Sequence, residues 1–427
     1  MKKKLYELFV YISLFLTNVS VKINSHKLCA FIIWLNVRKL KIIRSNSKNP
    51  KKILVFPKSN GTEDLIESFK NKKSNIIFFL LPRNFLKKIF SNFFDKSYET
   101  DYFTKLTKLK DINKKNAYIN FLTLTFKYLE NFIHLDGFIS FNLFYYAEKY
   151  FEEVCKNLNT KFIIIHKESA LNISEEAKAP IIYGKYNNKS LSYKISVYSE
   201  SQKKILVKSK IANKKQIVVN GAPRSDYAFS LRKITPQKKI IVYYLIEKNR
   251  SSNELSSYKK SNWNKLYNQT LQYLFEFAKK NQNIQIILKG KIGAHTKDQF
   301  TKNILPKNCY YVDGGAGHTF LKNASVVIAF NSMSVFETIA SNRNLIIPNF
   351  NNESKINKNI LLKIKNKKYF VKSKKDFDQK IKFYLNLKYK NKKLSNVDIK
   401  TLRYFLGNTD GTSGSKLKKF LVKSLSK

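Results

Sequence analysis

The sequence predicts an α/β protein of two doubly wound domains, each a parallel β-sheet covered by helices on both faces, with a cleft between them. Three observations carry this expectation. From Lys51 onward, short runs that are apolar at nearly every residue, such as Ile53-Leu54-Val55-Phe56 and Val326 to Phe330, alternate with segments of helical periodicity. A polar stretch holding Pro236 interrupts the alternation once, after which it resumes. The chain has 427 residues, is 43% hydrophobic and 14% aromatic, and is therefore long and apolar enough for two or three cores.

Residues 1–50 carry two apolar stripes at helical spacing: Leu5, Leu8, Phe9, Ile12, Leu16 and Val19, then Leu28, Phe31, Ile32 and Leu35. Lys22, Lys27, Arg38, Lys39, Lys41 and Arg44 flank them. Basic amphipathic helices of this kind either pack on the first domain or lie on a membrane surface. Lys2-Lys3-Lys4 before an apolar run resembles an export signal. However, Glu7 interrupts it, no small-x-small cleavage site follows, and Leu8 to Leu16 is too short to span a bilayer.

The first domain is expected over 51–231. Its strands are Ile53 to Phe56, Ile76 to Leu81, Gly137 to Phe141, Phe162 to Ile165, Ile195 to Tyr198 and Ile217 to Val219. Between them lie a loop over 57–62, a helix ending at Phe69, and helices at Arg83 to Phe94, around Tyr145 to Leu158 and around Gln202 to Ser209; 95–135 is mostly helical in pattern. Arg232 to Lys239 reads as the linker. The second domain, 239–390, has strands at Ile240 to Leu245, Ile284 to Leu288, Tyr310 to Val312, Val326 to Phe330 and Leu345 to Ile347. Helices run from about Trp263 to Lys280 and from Val335, and closing helices fall at Phe377 to Leu385 and within 391–427.

Lys and Arg number 81 against 29 Asp and Glu, a formal net charge of +52. Such a surface attracts nucleotide phosphates, anionic lipid or nucleic acid. The lysines are scattered among abundant Asn, Ile and Phe, so compositional bias with solvated faces explains the charge as well as function does. The aromatics fall at core spacing and no RNA-binding motif occurs, which counts against nucleic acid as a partner. Cys29, Cys155 and Cys309 are odd in number and far apart, which suggests neither a disulfide framework nor a zinc site and fits a reducing cytoplasm. Asp376-Phe377-Asp378 reads as a helix start after Ser373, because residues two apart diverge on a helix; no cluster suggests a metal.

In doubly wound sheets, ligands bind beyond the carboxyl ends of the strands, so the chemistry is expected in the loops there. Asn331-Ser332-Met333-Ser334-Val335-Phe336-Glu337 follows a strand, and Ser334-x-x-Glu337 fits a capping box. A helix opened in this way offers backbone N–H groups and a positive dipole end to a diphosphate; the plainer reading is an N-cap without a ligand. In Asn220-Gly221-Ala222-Pro223-Arg224-Ser225-Asp226, Arg224 could grip a phosphate or carboxylate, or simply tie to Asp226. His166-Lys167-Glu168 ends another strand, where His166 or Glu168 could serve as a general base, although a lone histidine is more often structural. Lys289-Gly290-Lys291, with His295 close behind, follows a further strand. Gly314-Gly315-Ala316-Gly317-His318 matches no established phosphate loop and reads as a flexible cleft loop.

From about Lys51 to the end, these motifs in this order resemble GT-B glycosyltransferases and related surface-polysaccharide proteins of the capsule and teichoic-acid type. The chain is distantly similar to CDP-glycerol glycerophosphotransferases and to UDP-GlcNAc 2-epimerases. The resemblance implies two Rossmann-like domains, an N-terminal one for the acceptor and a C-terminal one for the donor. It implies that Ser332 and Ser334 face the donor phosphates, that Glu337 meets the ribose, and that Arg224, Lys289 and His295 are donor contacts. It further implies that His166 and Glu168 are catalytic and that Gly61 and Thr62 are acceptor contacts. "LGNTDGTSGSKLKKFL" resembles the D-G-x-S closing segment of the same proteins, although Asp410-Gly411 is also a good turn. The implied activity is transfer of a sugar or alditol phosphate from a nucleotide-activated donor to a glycan or lipid-linked acceptor. No metal or cofactor is implied, and the setting is the cytoplasm, peripheral to the inner face of an anionic membrane. The alternatives are a nucleotide-sugar 2-epimerase and a non-enzymatic basic binder of nucleic acid or membrane. The epimerases share His166-x-Glu168 and Gly221-x-Pro223-x-x-Asp226. They differ in their Ser-Gly-Gly run, where Met333-Ser334 and Phe336 intervene here, and Ser59-Asn60-Gly61-Thr62-Glu63 is a poor match to their G-T-R-P-E start.

Overall fold

The computed structural model describes residues 2–41, 43, 47–70, 73–99, 106, 108–167, 173–186, 189–236, 239–246, 249–250, 261–290, 300, 305–315, 317–355, 363–388 and 393–426. The chain divides into two compact units. Unit 1 comprises Met1–Glu168, Pro180–Pro223 and Ser413–Lys427; unit 2 comprises Ser169–Ala179 and Arg224–Thr412.

Unit 1 opens with helices α1 (Lys2–Lys22) and α2 (His26–Asn36) and the two-residue strand β1 (Arg38–Lys39). Then come β2 (Lys51–Val55), α3 (Ser59–Phe69), β3 (Ile76–Leu80), α4 (Asn84–Phe90), α5 (Leu109–Leu129) and β4 (Gly137–Ser140). The series continues with α6 (Tyr146–Lys149), α7 (Phe151–Asn157), β5 (Lys161–Ile165), α8 (Ile173–Tyr186, which belongs to unit 1 only from Pro180), β6 (Lys194–Val197), α9 (Glu200–Lys208) and β7 (Ile217–Val219). The sheet order is β1-β3-β2-β4-β5-β6-β7. Every pairing is parallel except β1 with β3, in which Arg38 faces Leu80. β1 is too short and too polar to leave a periodic signal.

Alternate residues of β2 explain why both faces are covered. Ile53 and Val55 join Leu65, Ile76, Ile139 and Ile163 in one core. On the opposite face, the Phe56, Phe126, Phe138 and Phe151 rings pack edge to face or stacked, with centroids 4.8 to 6.5 Å apart.

Unit 2 contains α10 (Asp226–Ser230), β8 (Ile240–Tyr244), α11 (Asn264–Lys280), β11 (Gln285–Lys289) and β12 (Cys309–Val312). A short antiparallel ribbon, β9 (Asn249–Arg250) with β10 (Ser261–Asn262), lies between β8 and α11 in the chain. The unit continues with β13 (Ala324–Ile328), α12 (Met333–Ala340), β14 (Asn344–Pro348), β15 (Phe370–Val371), α13 (Lys374–Asn386) and α14 (Asn396–Leu406). Its sheet runs β12-β11-β8-β13-β14-β15 and is parallel throughout. All five residues of β8 are buried, as a strand covered on both faces requires. Ser373 caps α13 by accepting from Asp376 N–H at 3.2 Å, the helix start expected there.

The last helix, α15 (Ser413–Ser426), returns to unit 1, so 391–427 does not act as one closing element. Leu417, Leu421 and Leu425 recur every four residues and complete the core around Ile53 and Val55. Gly407 ends α14 in the left-handed conformation, and the Asp410 carboxylate accepts from Thr412 N–H at 3.0 Å, closing the turn that precedes α15.

Both sheets reverse their direction of growth beside their first parallel strand: between β2 and β4 in unit 1, and between β8 and β13 in unit 2. Adjacent chain crossovers then lie on opposite faces, which opens a crevice at the strands' carboxyl ends.

Candidate functional site

In unit 2 the crevice lies beyond Tyr244 and Ile328, the last residues of β8 and β13. After β13, Asn331 takes a left-handed φ of 47°, a conformation that asparagine tolerates, and turns the chain into α12. Ser332 is the N-cap residue, and its side chain makes no capping bond. The expected Ser334-x-x-Glu337 capping box is therefore not formed. Ser334 lies two residues inside the cap position, its hydroxyl shares a short hydrogen bond with Ser332 Oγ, and Glu337 turns to another partner. That partner is Arg224, whose Nε lies 3.7 Å from Glu337 Oε1, with both side chains less than a tenth exposed. The contact is an ion pair rather than a hydrogen bond, and it joins the Pro223–Ser225 turn to α12.

Neighbouring strand ends of unit 2 contribute further groups. Tyr244 Oη donates to Gly317 O at 2.5 Å, and burial, with Glu337's charge adding to it, holds this phenol well above its ordinary range. Gly314 and Gly315 both take φ of 72°, and a side chain at Gly315 would meet nothing within 4 Å. His318 is buried with its ring 5.2 Å from Tyr227, and Trp263 packs edge-on against Phe330 at 5.1 Å. Lys289 ends the adjacent strand β11; its ammonium donates to the neighbouring Gly290 carbonyl and stands 5.7 Å from the Phe320 ring. Burial lowers the Lys289 pKa, and Asp313 opposes that shift. Unit 2 thus brings together Arg224, Ser332, Ser334 and Glu337, with Lys289 at the end of β11. His295, like Glu168, lies outside the described residues.

In unit 1, His166 follows β5 and is buried. Its backbone N–H donates to Ser196 O at 2.8 Å, and its ring stands edge-on to Phe144 at 6.0 Å. Gly61 and Thr62 do not lie in a loop, as 57–62 was expected to form; they belong to the first turn of α3. The reason at Gly61 is packing: a Cβ there would fall 2.2 Å from ring carbons of Phe141. The Thr62 hydroxyl bonds back to Lys58 O at 3.1 Å.

One group was not singled out from the sequence. Arg83, after β3, pairs through Nε with Glu148 Oε1, while Ser140, the last residue of β4, donates to Glu148 Oε2. Arg83 and Lys58 stand 4.1 and 4.7 Å from the Tyr145 ring centroid. Burial raises the Glu148 pKa, chiefly opposed by Arg83's charge. A basic residue directly after a strand was the available signal, but its partner lies 65 positions away.

No protein-family profile matches the chain, and no curated protein does. Among solved structures, the wall teichoic acid polymerase TagF is similar at 10% identity, over 97% of this chain and 97% of that one, with a TM-score of 0.46. The α,α-trehalose 6-phosphate synthase of Burkholderia multivorans is similar at 6% identity over 88% of this chain and 98% of that one, with a TM-score of 0.43. Acinetobacter baumannii MurG is similar at 8% identity over 88% of this chain and 99% of that one, with a TM-score of 0.36.

Proposed function

We propose that unit 2 binds a nucleotide-activated donor and that the protein is a GT-B-type, glycosyltransferase-like enzyme. The observation that supports this best is the placing of Ser332, Ser334, Glu337 and Arg224 beside the point where the sheet order reverses. A diphosphate set against the start of α12 would meet backbone N–H groups, the positive end of the helix dipole and the two serine hydroxyls. Glu337 would accept hydrogen bonds from the ribose hydroxyls, with Arg224 holding its carboxylate in place. Lys289 and His295 would add positive charge to the departing diphosphate, so the transfer would proceed without a metal.

The transferred group is a sugar or an alditol phosphate, and the acceptor is a glycan or lipid-linked precursor of the cell surface. Its nucleophilic hydroxyl would give its proton to His166, just after β5, or to Glu168, with Gly61 and Thr62 framing the acceptor side of unit 1. Because such acceptors are built on lipid carriers, the enzyme would work at the cytoplasmic face of an anionic membrane.

The test is a panel of nucleotide sugars and CDP-alditols, with thermal stabilisation and nucleotide release as readouts. At least one donor is expected to stabilise the protein and to release its nucleotide when acceptor is added. Substituting Ser334 and Glu337 together by Ala should weaken that donor by a few kcal/mol at most, the range for lost charge-assisted hydrogen bonds. Equal affinity in a folded double variant would remove this constellation from the donor site.

A further inference from the structure

Helix α1 is built inside out for a helix in water. The side chains it buries are Ser13, Thr17 and Ser20, together with Val21. Their polarity is absorbed locally: the Thr17 hydroxyl donates to Ser13 O and the Ser20 hydroxyl to Thr17 O, each at 2.8 Å. Small side chains on this face let α1 pack on α2 and α4, where the Cys29 side chain of α2 is fully buried. The opposite face carries Leu5, Leu8, Ile12, Phe15 and Leu16, all at least 40% exposed. Residues 5, 8, 12, 15 and 16 follow helical spacing, so they form one continuous stripe.

Close by, Phe31 and Trp34 of α2 join Phe132 in an exposed aromatic cluster, with centroids 5.2 to 6.0 Å apart. A patch of this extent is more than scattered surface leucines, and water does not stabilise it. Its charge setting selects the partner. Residues 2–44 hold nine Lys and Arg and one acidic residue, Glu7. A second copy of this face would meet like charge, whereas an anionic lipid surface meets opposite charge.

We infer that α1 and α2 form the face by which the protein seats on an anionic bilayer, with α1 lying along the interface, its stripe among the acyl chains and its basic flanks at the headgroups. This deepens the membrane element of the proposed function, but it rests on unit 1 alone.

The test uses the full chain with vesicles of phosphatidylcholine, with and without phosphatidylglycerol. The protein should co-sediment with the anionic vesicles, and less so as salt rises. Lipids brominated on their acyl chains should quench Trp34; the only other tryptophan, Trp263, is buried in unit 2 and supplies an unquenched background. The triple variant Leu8→Glu, Ile12→Glu, Phe15→Glu changes only exposed positions, so it should keep its circular dichroism while vesicle binding falls about tenfold or more and quenching is lost. Three results would overturn the inference: no binding to anionic vesicles, wild-type binding by the folded triple variant, or a dimer that the triple variant dissociates without change in vesicle binding. Nucleotide stabilisation is read separately on the same proteins, so failure of the lipid face and failure of the donor reading are told apart.

Discussion

The Arg224–Glu337 pair lends itself to a double-mutant cycle. The two charges lie 3.7 Å apart and both are over nine-tenths buried. At an effective dielectric constant of about 20, that separation corresponds to roughly 4 kcal/mol of attraction, offset in large part by the cost of burying both ions. Glu337→Gln removes the negative charge 3.7 Å from the buried guanidinium, and Arg224→Met removes the positive charge beside the buried carboxylate. Each alone should destabilise unit 2 by about 3 to 5 kcal/mol, and the double variant by less than the sum, with a coupling of roughly 2 to 3 kcal/mol. Trp263 is a built-in reporter, because it packs against Phe330, one residue before the Asn331 turn. In a Trp34→Phe background, denaturant unfolding followed by fluorescence therefore reads unit 2. Additive single-site effects, with a coupling near zero, would refute the reasoning that the pair fastens the Pro223–Ser225 turn to α12. Wild-type donor affinity in the Glu337→Gln protein would refute its second half, that the same carboxylate meets the ribose.

Four further outcomes are expected. Gly61→Ala should destabilise unit 1 by about 1 to 3 kcal/mol, because its Cβ would fall 2.2 Å from the fully buried Phe141 ring; Phe141→Leu should recover part of the loss in thermal melts. The three cysteines are buried, and burial pushes Cys29 up to about 11 and Cys309 up to about 12 from an ordinary value of 9.0, with Cys155 also raised well above it. A thiol reagent at neutral pH should thus label none of them until the protein unfolds. Since the folded thiols keep their protons where unfolded ones lose them, their contribution to stability is full below pH 9.0 and is lost as pH climbs towards 11, which denaturant midpoints across that range would show. Turnover should survive a chelator; complete loss in EDTA with rescue by Mn²⁺ would replace the proposed charge neutralisation by Lys289 and the α12 terminus with metal catalysis.

The sheets were legible in the sequence because buried parallel strands are written as unbroken apolar runs, and all the longer strands fall within a few residues of their expected places. What escaped was information carried by a partner distant in sequence. Ser334-x-x-Glu337 has the spacing of a capping box, but spacing cannot show that a guanidinium more than a hundred positions earlier holds the glutamate. The same limit hid Glu148 behind Arg83, and it made Gly61-Thr62 read as a loop, when the absence of a side chain at Gly61 is what lets α3 close on Phe141. The most instructive case is α1. Periodicity finds an amphipathic helix from the angle between its two faces, and that angle is the same whichever face points inward. The choice is made by the surface the helix packs on, here one that accepts Ser13, Thr17 and Ser20 and leaves the leucines outside. The two apolar stripes of residues 1–50 were open to two readings, packing on the domain or lying on a membrane. In the structure the small polar face of α1 fastens it to unit 1, and that attachment is what turns the large apolar face outward.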